Sequence, residues 1–141
     1  MLLAVMATST LVVGMWASLA PRSFYDDFPG AGRHWVALDG PFNEHLVRDV
    51  GTLGLALAAV TVAALVRPER YLVTVTAGAT LLYSVPHFGY HAFHLDLFQT
   101  ADQVGQMVSL AVTVLAPAAL LFRALRPEPA AAAQAASPTW R

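Results

Sequence analysis

Four long stretches of this chain carry almost no charge, and they constrain its fold more than any other feature. Leu2 to Ala20 reads LLAVMATSTLVVGMWASLA, and Val50 to Val66 reads VGTLGLALAAVTVAALV. Tyr71 opens YLVTVTAGATLLYSV, which continues in a more polar vein through PHFGYHAFH. Val104 to Leu121 reads VGQMVSLAVTVLAPAALL, with Phe122 and Arg123 after it. Roughly 20 apolar residues in an α-helix cross a hydrocarbon layer of about 30 Å. A soluble core helix seldom stays uncharged for so long, because its outer face must meet water. The expected fold class is therefore an all-α membrane protein, an up-down bundle of four transmembrane helices with a long extracytoplasmic first loop. The membrane domain is expected over residues 1–126, with spans at about 2–20, 41–66, 71–94 and 104–125. Residues 127–141, rich in Pro and Ala, read as a disordered tail.

Composition narrows the function classes. Of 141 residues, 57% are hydrophobic and 12% charged, about half the charged share of an ordinary soluble domain. Every basic residue is Arg and the net charge is −1, so no basic surface is available for nucleic acid. There is no Cys, which removes disulfides, thiolate metal sites and iron–sulfur clusters. The expected partners are the lipid bilayer and other membrane protein subunits.

The first span has no basic residue before it, and Pro21 follows Ser18-Leu19-Ala20. It is expected to stay as a helix rather than to be cleaved as a signal peptide. Arg67 and Arg70 flank the turn between spans two and three, and Arg123 and Arg126 end span four. The loop between spans three and four carries only Asp96 and Asp102. The positive-inside rule then places both termini in the cytoplasm, in a multi-pass protein of the cell membrane. Whatever the orientation, four alternating helices bring all five histidines to one side.

That side carries the candidate chemistry. In span three, His87, His91 and His94 fall at about 0°, 40° and −20° around a helix, with Tyr83 and Tyr90 near −40° and −60°. Pro86 kinks or restarts the helix just before them. Asp39-Gly40-Pro41 looks like a helix start, which puts Glu44, His45, Arg48 and Asp49 on the first turns of span two. Glu44–Arg48 and His45–Asp49 are both i, i+4 pairs. The candidate metal ligands are His87, His91, His45 and His94, with Glu44, Asp49, Tyr83 and Tyr90 around them to orient the rings. The first loop is long and aromatic (Phe24, Tyr25, Phe28, Trp35, Phe42), which suits a lid or an interfacial belt. As a lid it would bring Asp26, Asp27 and His34 to the histidines.

Three readings of this cluster stay open. Imidazoles and carboxylates without thiolate suit Zn, Fe or Cu, and a haem could take one histidine from each of two helices. Alternatively the cluster is a structural polar cap on a non-catalytic membrane subunit or anchor, since His and Tyr tolerate the interface. The third reading is proton transfer by the same residues. His-Glu-x-x-His, Gly-x-Ser-x-Gly and Gly-rich phosphate-loop patterns are all missing, so the residues identify no reaction.

The stretch SFYDDFPGAGRHWVALDGPFNEHLVRDVGTLGLALA, followed by VPHFGYHAFHLD, resembles a family of small uncharacterised four-helix integral membrane proteins of actinobacteria. The likeness covers residues 20–100 or so, on a background rich in Ala, Val and Arg. The layout also resembles the DoxX-like group, in which an acidic or amide residue precedes a Gly-rich second helix. The resemblance implies a four-helix membrane fold and no particular activity, so it assigns no catalytic residue.

Overall fold

A computed structural model describes residues 1–126, which leaves the expected tail at 127–141 outside the described residues. Four long helices dominate: α1 (Leu2–Leu19), α4 (Glu44–Val66), α5 (Arg70–Ala92) and α6 (Thr100–Leu125). Between α1 and α4 lie α2 (Pro21–Asp27), a hairpin of β1 (Pro29–Gly30) and β2 (Arg33–His34), and α3 (Trp35–Asp39). α1, α4 and α6 are long and apolar enough to cross a membrane, with mean hydropathies of 1.8, 2.0 and 2.0 over their best windows. α5 has the length at 23 residues but is more polar, because Thr, Ser, Tyr and His recur along it.

α4 begins three residues later than its Pro41 suggested. Asn43 is the N-cap, and its side-chain oxygen accepts the Leu46 N–H at 3.1 Å. A carboxamide acceptor satisfies one of the orphan donors of the first turn, which Pro41 has no means of doing. Asp39, expected at this helix start, instead ends α3.

The helices form two antiparallel pairs, α1 on α4 and α5 on α6, with lighter contact between the pairs. Small residues bring α1 and α4 together. A Cβ on Gly51 would lie 2.6 Å from both N and Oγ of Ser18, and one on Gly14 would lie 3.0 Å from the Gly51 carbonyl. Such close backbone approach is how helices associate where apolar burial gives no drive. At the end of this pair, an Arg48 N–H donates to the Ser18 carbonyl in the last turn of α1, satisfying an orphan acceptor there. The Arg48 Nε also donates to Glu44 at 2.9 Å.

The distribution of side chains is inverted relative to a soluble bundle. Leu53, Leu82, Val108 and Leu115 point outward and are exposed, whereas Thr61, Thr76, Ser84 and Gln106 are at most 2% exposed. Apolar surface outside and hydroxyls inside is the arrangement that lipid favours. The first loop is folded into α2, the hairpin and α3. Phe24 packs with Ala17 and Val47, and an aromatic run Trp16–Phe24–Phe28–Trp35 has centroid separations of 5.7, 4.8 and 6.1 Å. Tyr25 donates to the Gly40 carbonyl at 2.7 Å. The hairpin turns through Ala31 and Gly32, both at positive φ (57° and 72°), the geometry that matches the twist of two short strands.

Candidate functional site

Helical spacing on α5 brings His87 and His91 together as expected. Their ring centroids are 4.8 Å apart and nearly perpendicular. Tyr83 stacks on His87 at 5.3 Å, and Tyr90 meets His91 edge-on at 5.4 Å. Both imidazoles are half-buried. His94 lies past the helix end, where it is exposed and stacks on Tyr90 at 4.1 Å. Its Nδ1 bonds the Tyr90 carbonyl at 2.7 Å, which ties it to the rim.

His45 does not join them. Its side chain is 88% exposed and pairs only with Asp49, at 3.3 Å. α4 buries Val47 and Gly51 against α1, and His45 sits two residues before Val47, about 200° round the helix. Glu44 and Asp49 therefore hold Arg48 and His45 on the outer surface rather than orienting a ligand. The lid residues also partner among themselves. Asp26 takes Arg22 at 2.7 Å, Asp27 accepts from Ser23 at 3.1 Å, and His34 bonds the Asp26 carbonyl.

Three residues outside the expected set complete the site. Asp39, at the end of α3, accepts from the Tyr90 hydroxyl at 3.4 Å and lies within electrostatic reach of His87 and His91. Gln106 reaches the His91 ring from α6, and Ser84 sits two turns below His91 on the same face of α5. Ser84 Oγ, His91 Nδ1 and both amide atoms of Gln106 are buried without a hydrogen-bond partner in the protein. Gln106 carried a signal in the sequence, as the only side-chain amide in an apolar run.

The lid is fastened to α6 at one point. Asp102, in the first turn of α6, accepts the Trp35 Nε1–H at 2.8 Å and an Arg33 N–H. The Trp35 ring lies over Gly105, where a Cβ would approach it to 3.1 Å. Asp102 had figured in the sequence only as a loop charge; its place at a helix N-terminus also favours a carboxylate. Asp102→Ala should release this clasp. Trypsin should then cut after Arg33 several-fold faster than in the unsubstituted protein, as read by mass spectrometry of timed digests.

The four expected histidines do not converge on one ion. Among the described residues, no three of His, Asp and Glu stand where they could share a metal ion. What the arrangement offers is a pair of neighbouring imidazoles, a carboxylate at the rim, and uncharged hydrogen-bonding groups beneath. No protein-family model, curated protein or solved structure matches this chain.

Proposed function

We propose that this chain is a four-span membrane protein, with both termini cytoplasmic, whose lidded histidine end takes up and releases protons at the extracytoplasmic face. On this reading α5 crosses the membrane with α1, α4 and α6, shielding its polar face against them. The observation that carries the proposal is that Ser84 Oγ, His91 Nδ1 and both amide atoms of Gln106 are buried without a hydrogen-bond partner in the protein. A purely structural cap would satisfy such groups, because each costs about 1–3 kcal/mol when left unpaired. The outer pairs Glu44–Arg48 and His45–Asp49 do serve as a cap, and they leave the inner groups free for exchange.

With no native Cys, single cysteines test the topology cleanly. Cysteines at positions 68 and 96 should label from opposite sides with an impermeant maleimide; the same side for both would remove the four-span arrangement. For the site, ¹⁵N-histidine spectra in nanodiscs should show His87 and His91 responding together to bulk pH. Imidazoles at 87 and 91 that ignore bulk pH would overturn the proposal. Stoichiometric metal or haem in the same sample, by elemental analysis and absorption, would replace it with the metal reading.

A further inference from the structure

The polar residues of α5 do not stop at the mouth. Thr76, Thr80, Ser84, His87 and His91 fall within an arc of about 80° on one face and span about 22 Å of helix. This face looks inward: Thr76 and Ser84 are 2% and 1% exposed. Neighbouring helices face it with polar groups of their own. Gln106 comes from α6 near its upper end. At mid-depth a mostly apolar cavity of about 40 Å³, walled by Val5, Met6, Val112 and Ala116, also takes in the hydroxyls of Thr80, of Ser9 and Thr10 on α1 and of Thr113 on α6. Near the lower end, Thr76 reaches the Val60 carbonyl of α4 at 3.5 Å, beside the buried Thr61.

Resting on the reading of the mouth given above, we propose that this face of α5 is a hydrogen-bonded proton path through the membrane, with water as its mobile component. The cavity exceeds the roughly 10–15 Å³ that one water needs, and the hydroxyls on four of its eight lining residues offer polar partners on one part of its wall. Ser9, Thr10, Thr80 and Thr113 each donate to a carbonyl of their own helix at 2.7–3.1 Å, which leaves their oxygens free to accept. Pro117 has no N–H for the Thr113 carbonyl, which adds an acceptor beside the same cavity. Ser84, one turn above Thr80 on the same face of α5, and Gln106 on α6 are buried and unpartnered, and both carry groups that donate and accept.

A proton enters on the imidazole pair, and each transfer inward makes one bond to hydrogen as it breaks another, so nothing is oxidised or consumed. Around the entry stand Asp39 of α3, Tyr83 and Tyr90 of α5, His94 just past its end, and Gln106 of α6; only Asp39 among them is an acid. No acid lies on the path below Asp39, so a dehydrated metal cation has no countercharge there and is excluded. Below Thr76 the inner face is Val73, and the next polar groups, Arg70 and Glu69, lie about 9 Å further on. That apolar turn and a half is the slow segment.

The full chain, reconstituted in vesicles with a pH dye inside and a potassium diffusion potential, tests the path. The unsubstituted protein should acidify the lumen faster than empty vesicles. Gln106→Leu and Ser84→Ala should each slow that flux by about tenfold, the scale of one lost hydrogen bond. Ser84→Thr, which keeps a hydroxyl, and His45→Ala, off the path, should retain it. Chromatography and circular dichroism of each variant confirm that it is folded. Flux no greater than that of empty vesicles, or unchanged in both Gln106→Leu and Ser84→Ala, overturns the path. If His87 and His91 still titrate with bulk pH in that case, the mouth stands without it. A sodium flux of similar size would overturn the relay in favour of an open pore.

Discussion

Gly51→Ala is expected to destabilise the protein by about 1–3 kcal/mol, the usual scale of an overpacked contact. The added methyl would sit 2.6 Å from the Ser18 N and Oγ and 2.9 Å from the Ala17 carbonyl carbon. Two of these three atoms are backbone and cannot swing aside, so α1 and α4 must separate. Separation would also pull Arg48 from the Ser18 carbonyl and loosen Phe24 and Val47 beneath the lid. Three controls sharpen the test. A Cβ on Gly54 meets nothing nearer than 3.6 Å, and at Gly78 and Gly89 it meets nothing within 4 Å. Alanine should be tolerated at Gly54. At Gly78 and Gly89 it should be neutral or stabilising by up to about 1 kcal/mol through helix propensity. Unfolding titrations in detergent micelles give the order directly. Equal effects at positions 51 and 78 would mean that the α1–α4 contact is not the close one described.

Gln106→Leu is expected to act in the opposite direction, raising stability by about 1–3 kcal/mol. Gln106 is 2% exposed and neither of its amide atoms is paired within the protein. Leucine has a similar volume and removes the desolvation cost without opening a cavity. A residue that weakens the fold and remains in place is the pattern of a functional group, whose replacement trades activity for stability. Thermal unfolding in detergent should therefore rise for Gln106→Leu while the coupled response of His87 and His91 to pH weakens. A fall in stability would show that the amide is a structural tie and would remove the main support for proton exchange at His91.

The sequence made part of the candidate site legible. Spacing of three and four residues places His87 and His91 on one face of α5, because the 100° turn per residue is a property of the helix alone. The same rule anticipated the Tyr83 and Tyr90 contacts and both outer ion pairs, Glu44–Arg48 and His45–Asp49. It failed for His45 as a partner of the α5 histidines. Knowing that two helices share an end says nothing of which way each faces, and α4 turns Val47 and Gly51 inward. Asp39 was misread as a helix start because Pro41 suits a first helical turn, yet Asn43 makes the cap.

The sequence by itself therefore determined roughly where the four long helices run and that α1, α4 and α6 are apolar enough to cross a membrane. Uncharged runs of this length must close their backbone hydrogen bonds internally, and that requirement is local. It also determined the small residues that let α1 and α4 approach. Only the tertiary structure decided that Gln106 meets His91, that Asp39 reaches Tyr90 from the lid, and that Asp102 clasps Trp35 and Arg33. Those meetings join residues far apart in the chain. They depend on which faces pack and where the lid docks, a choice made by side-chain fit across helices rather than by the periodicity of any one of them.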